Sequence, residues 1–251
     1  SLIACTPETA INVAPPSDAS LSASPQPHSV VASPEAAGTL HPDPSPTPAN
    51  GSPFAAASPD EALARGLERR EAGDYDTAAE AFFAAANAAP GTPTGRTARF
   101  YLAESFALRE RWTSAVEALN AFVADGVQDD LTARAWFWIA RGHEEAGSHA
   151  AAIAAYEQFR SFATLAETYA RLRQAAQERA LGRLDAAAAN YEAVARSDIA
   201  RSQRAAAYEA AIQVRRDLGQ YETALRLAGE LLTLAEQPAY RARLLTEFAD
   251  L

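Results

Sequence analysis

The chain has 251 residues, with 22 basic against 32 acidic side chains and a formal net charge of −10. Every basic residue is Arg, and one cysteine is present. This balance excludes the basic face that phosphate binding needs, so no nucleic-acid partner is expected. A lone cysteine excludes an intrachain disulfide, and no run of apolar residues is long enough to cross a membrane as a helix.

In chain order, the first signal is Leu2-Ile3-Ala4-Cys5. An aliphatic residue, a small one and then Cys resembles the lipobox of bacterial lipoproteins. The resemblance implies that residues 1–5 are the end of a signal peptide whose charged start lies upstream. It also implies that Cys5 carries acyl chains, which anchor the chain to the outer face of a membrane in the bacterial cell envelope. Residues 6–58 follow with 11 prolines and 9 serines, and with Glu8, Asp18, Glu35 and Asp43 as their only charges. Runs such as Pro42-Asp43-Pro44-Ser45-Pro46-Thr47-Pro48 suit neither helix nor central strand. Too little apolar mass is present to form a core, so a disordered linker is expected. As a coil it would span roughly 40 Å, and fully extended about 160 Å.

From residue 59 onward one phrase recurs. It reads Gly73-Asp74-Tyr75-Asp76-Thr77-Ala78, with variants beginning at Glu110, Gly147, Gly182 and Gly219. The closing alanines are Ala78, Ala115, Ala152, Ala187 and Ala224. After each comes a fixed beat: Phe82 and Ala85; Leu119 and Phe122; Tyr156 and Phe159; Tyr191 and Val194; Ala228 and Leu231. Steps of four and three put each set on one helical face. The helix before each turn carries a matching stripe, such as Leu102, Ala103 and Phe106, or Trp136, Ile139, Ala140 and His143. The turn glycines fit left-handed C-caps. Pro90 and Pro238 are expected just past helix ends.

This wording and period resemble the tetratricopeptide repeat (TPR) family over residues 59–251, with five repeats and the start of a sixth from Ala239. The fourth and fifth repeats match more loosely, and Glu110 replaces the turn glycine of the second. The resemblance implies an all-α fold: a right-handed α-solenoid of TPR-like helix hairpins, each burying its neighbour's apolar edge. The pattern stops inside the sixth repeat and the chain lacks Met, so a fragment of a longer protein is expected.

Chemistry is sparse. His143 and His149 sit on a helix stripe and in a turn, and His28 and His41 in the linker. No zinc-protease pair, phosphate loop or nucleophile elbow occurs. No metal, cofactor or catalytic residue is expected in this segment. Glu104-Ser105 is similar to the start of the lytic transglycosylase motif, but repeat wording follows it. By register, the concave wall should present Phe100, Glu104, Phe137, Arg141, Arg179, Gln213 and Arg216. The three Arg could receive a carboxylate by bidentate pairing.

The expectation is a surface-tethered scaffold that binds a protein, peptide or glycan. The alternative is the non-catalytic superhelix of a peptidoglycan lytic transglycosylase whose catalytic domain lies beyond residue 251. The partner would then be peptidoglycan.

Overall fold

The structure is a computed structural model that describes residues 57–249. The expected signal end, Cys5 and nearly all of the linker lie outside the described residues.

Five helix hairpins follow one another. They are α1 (Pro59–Glu71) with α2 (Tyr75–Ala88), α3 (Pro93–Leu108) with α4 (Trp112–Val123), and α5 (Asp130–Glu145) with α6 (His149–Arg160). Then come α7 (Glu167–Ala180) with α8 (Leu184–Ala195), and α9 (Arg201–Asp217) with α10 (Tyr221–Leu234). A last helix, α11 (Pro238–Phe248), opens a sixth repeat. The described residues contain no strand.

Local chemistry sets these bounds. Ser58 starts α1 through a reciprocal capping box with Glu61, and Pro59 holds the first helical position, where its missing N–H costs nothing. Pro93 and Pro238 open α3 and α11 in the same way. Pro238 therefore starts a helix as much as it follows one.

Every hairpin turn has the same geometry. Gly73, Gly147, Gly182 and Gly219 have φ between 67° and 77°. The next residue's N–H reaches back five residues, as from Asp74 to the Arg69 carbonyl at 2.9 Å and from Ser148 to His143 at 2.8 Å. This double-bonded cap satisfies carbonyls that the helix end leaves open. In the second hairpin Glu110 takes the left-handed position, with φ 58°. The Arg111 N–H still reaches the Phe106 carbonyl at 2.9 Å, so the turn survives without glycine at a steric cost.

The repeated apolar beat forms the core. All its members are buried except Tyr191, which is half-buried. Each helix packs on its sequence neighbours, and the first helices α1, α3 and α5 also touch one another. One apolar cluster runs from Phe100 to Ala170 and another from Val194 to Leu244.

Candidate binding surface on the inner helices

The first helix of each hairpin lines one wall of the stack, and the outcome differs along that wall. Phe100 is fully buried, edge-on to Tyr101 and tilted against Phe122. Glu104 is 2% exposed. Its carboxylate accepts from Arg70 Nε at 2.7 Å, Arg134 Nη2 at 2.6 Å and Trp138 Nε1 at 3.1 Å. Burial alone would lower the Arg134 guanidinium, but the Glu104 carboxylate and Tyr101 outweigh it and leave it raised. Both Arg side chains also lie over the Tyr101 ring, at 5.3 and 5.4 Å. Three repeats thus meet at one carboxylate. Phe100 and Glu104 build this wall from within and offer no face to solvent. The same contacts leave Glu104 no space to act on a glycan.

Phe137 is half-buried between Trp138, Phe159 and Tyr169, with ring centroids 5.6 to 5.9 Å away. Arg141 is tied within its own helix, to Glu145 at 2.9 Å and Glu144 at 3.8 Å. Glu144 also receives Arg173 at 2.8 Å and the Tyr156 hydroxyl at 2.7 Å. Burial first, and the Glu144 charge second, push that phenol well above its ordinary value.

Further along, the wall opens. Tyr169 is 38% exposed, beside Phe137 and under Arg173 at 5.9 Å. Arg179 is exposed, with Asp217 at 3.8 Å. Gln213 is exposed and donates to Asp217 at 2.8 Å. Arg216 is half-buried, and no ion pair ties it among the described residues. The register reading brought all seven residues to the first helices of the hairpins. It missed Tyr169 and Arg173, which hold the equivalent helix of the fourth repeat. Tyr169 sits one period past Arg134, a signal that the sequence contains.

No helix among the described residues is long and apolar enough to cross a membrane, and none of these residues forms a metal-type cluster of His, Cys, Asp and Glu. The only described histidines are His143 and His149. Burial lowers the His143 pKa. His149 Nδ1 lies 2.7 Å from the Gln177 amide oxygen.

The described residues are therefore an α-solenoid of stacked helix hairpins. Residues 63–130 and 109–166 match a family model described as Tetratricopeptide repeat, and the fold is TPR-like throughout. Among solved structures, MamA protein is 19% identical with a TM-score of 0.58, over 72% of this chain and 94% of that one. A second MamA structure is 20% identical with a TM-score of 0.54, over 70% and 96%. Nearly identical TPR-like repeats from Podosopora anserina are 15% identical with a TM-score of 0.53, over 70% and 93%. These likenesses are of fold. No curated protein matches the chain.

Proposed function

We propose that this chain is a repeat scaffold that docks an extended, acidic protein segment along the inner wall of its third to fifth repeats. The observation that carries this reading is the contrast along the wall. Glu104 ties up Arg70 and Arg134, whereas further along the wall Arg179 has only Asp217 at 3.8 Å and Arg216 has no ion pair among the described residues. These two Arg hold equivalent places on α7 and α9, so about 10 Å, one helix-to-helix step, separates them. A polyproline-type chain returns to the same face every three residues, a rise of about 9 Å. Acidic side chains three residues apart on such a segment would meet both guanidinia, each through paired N–H donors.

The test uses a labelled peptide with Asp at every third position, titrated by fluorescence anisotropy. An Arg179→Glu/Arg216→Glu double variant should weaken binding at least tenfold, and added salt should weaken the wild type. A neutral peptide or a peptidoglycan strand that bound better, with no response to the double variant, would end this reading in favour of glycan guidance.

The lipobox-like Leu2-Ile3-Ala4-Cys5 supports anchorage of the scaffold at the cell envelope. Labelled palmitate should enter the full-length protein in a bacterial host, and a Cys5→Ala variant should lose the label. Equal labelling of both would remove the anchor.

A further inference from the structure

Two apolar side chains at the start of α7 are open to solvent. Leu165 is fully exposed, and Tyr169, four residues on, is 38% exposed. The Tyr169 ring leans on Phe137 at 5.9 Å and lies under Arg173. Further along the same helix Arg179 is exposed, with only Asp217 at 3.8 Å. Ala176, small and exposed, stands between them. Tyr169 and Arg179 are roughly 15 Å apart along the helix axis. Counted from the turn, the other four hairpins have Asp60, Thr97, Arg134 and Ala206 at the place of Tyr169. Among the five hairpins, α7 alone therefore presents an aromatic ring at one end of the wall and a cation at the other.

The chain before α1 matches this pair in type, order and spacing. Ser58 roots it at the start of α1 through the capping box. Residues 44–58 carry no charge, and Asp43 is the first acid met on the way back. It stands in the run Pro42-Asp43-Pro44-Ser45-Pro46-Thr47-Pro48. Alternate prolines favour the polyproline conformation, which rises about 3.1 Å per residue. From α1 to α7 is three helix-to-helix steps, roughly 24 to 30 Å. The stretch from Ser58 back to Pro48 reaches about 31 Å. From Pro48 to Asp43 adds about 15 Å, which is the separation of Tyr169 and Arg179.

We propose that residues 42–48 of this same chain lie along α7 on the inner wall, with Pro46 and Pro48 on Tyr169 and Leu165 and the Asp43 carboxylate on Arg179. The inference rests on the wall being the docking face argued above, and it names a resident occupant that an incoming acidic segment must displace. Exposed aromatic rings are the surfaces on which proline-rich segments dock. The uncharged stretch also suits the part of the wall it crosses. There Arg70 and Arg134 are already tied to Glu104, so an acid would find no partner. A tether this short holds the segment at an effective concentration on the order of millimolar. One exposed ion pair and two proline rings are then enough to fill the wall.

Disulfide trapping in the full chain tests the placement. In a Cys5→Ala background, Ser45→Cys is combined with Ala176→Cys, its matched partner. The control combines it with Ala150→Cys, exposed on α6. Under mild oxidation of dilute protein the matched pair should close within one chain about tenfold faster than the control, as its higher effective concentration requires. Asp43→Arg should erase the difference. Equal rates, or a matched pair that joins two chains, would overturn the proposal. The second readout is the labelled peptide with Asp at every third position. Asp43→Asn should tighten its binding to the full chain about threefold, because the resident competitor is weakened. Unchanged or weaker binding, with Arg179→Glu/Arg216→Glu still weakening it, would end this inference and leave the acidic-segment reading intact. A peptide that bound neither form would remove both.

Discussion

The seam between the second and third repeats and the seam between the third and fourth close the same gap with different materials. In the first, Tyr101, Phe122, Trp136 and Trp138 fill the space, and the buried Glu104 is tied to two Arg. In the second, α7 brings Gln174, Gln177 and Glu178, all buried. Glu178 accepts from the Gln174 and Asn190 amides at 2.9 Å each, and Gln174 accepts from Arg160 at 2.8 Å. The family-model match ends at residue 166, one residue before α7 begins. The two apolar clusters also leave α7 between them, with Ala170 at the edge of one and Leu172 at the edge of the other. A stack can therefore keep its backbone period after the apolar wording fades, provided that each buried amide finds a partner. The cost is a seam with less hydrophobic area to hold it.

Removing one buried charge from each seam should expose this difference. Glu104→Ala strands Arg70 and Arg134 around a buried void. We expect a loss of about 3 kcal/mol in urea unfolding, as for a broken buried pair. Glu178→Ala leaves the Asn190 amide without an acceptor and the Gln174 amide with only Glu157, at 3.5 Å. The expected loss is smaller, about 2 kcal/mol. Hydrogen exchange should separate the two variants. The second should raise exchange in α7 and α8 and leave α3 to α5 protected, whereas uniform opening in both would show that the seams form one cooperative unit.

The hairpins were legible because two independent signals agree at four of the five turns, the second having Glu110 in place of glycine. Apolar residues recur at steps of four and three, and a residue that accepts φ > 0 stands between the helices. The inner wall was less legible. Register tells which way Glu104 points but not what meets it. Its partners are Arg70, 34 residues before, and Arg134, 30 residues after. Many ion pairs here step by nearly one repeat, as do Arg96 with Asp129, Arg196 with Glu230 and Arg243 with Glu209. A search for opposite charges one period apart would have marked Glu104 as spent. Tyr191 shows the converse limit. Its slot predicts burial, but the α7 helix near it offers alanines and amides in place of rings, and it stays half-buried.

The turns allow a finer test. Among the five hairpin turns Glu110 alone holds the left-handed position without being glycine. Glu110→Gly should relieve the steric cost and stabilise the protein by about 1 kcal/mol, less the extra chain entropy that glycine brings. Gly147→Ala should do the reverse by a similar amount. Thermal melts of the pair check this, and a destabilised Glu110→Gly would mean that the Glu side chain makes a contact worth more than the strain.

The smallest effect is expected from acid, and it should fall first on the apolar seam. Arg96 bonds Asp125 at 2.6 Å and Asp129 at 2.7 Å, with its guanidinium 4.3 Å over the Phe122 ring. The hydrogen bond from Arg96 is the main cause that holds Asp125 below its usual value. Burial alone would raise Asp129, but the Thr132 N–H and Arg96 together leave it lowered. A carboxylate with a depressed folded pKa stabilises the protein at pH above its unfolded value, near 4. That contribution is lost as the pH falls through the folded value. Both groups are partly open to water, which limits the size of the effect. An Arg96→Gln variant should be less stable than the wild type at neutral pH and should converge with it as the pH falls through the lowered folded values of both carboxylates. In the α7 seam the Arg pair falls on Glu144, from Arg173 at 2.8 Å, whereas Glu178 is held by neutral amides. Parallel melts of Asn190→Ala should accordingly keep a constant offset from the wild type across the Asp125 and Asp129 titration. An offset that shrank together with the Arg96→Gln offset would mean that the two seams share one acid-sensitive network.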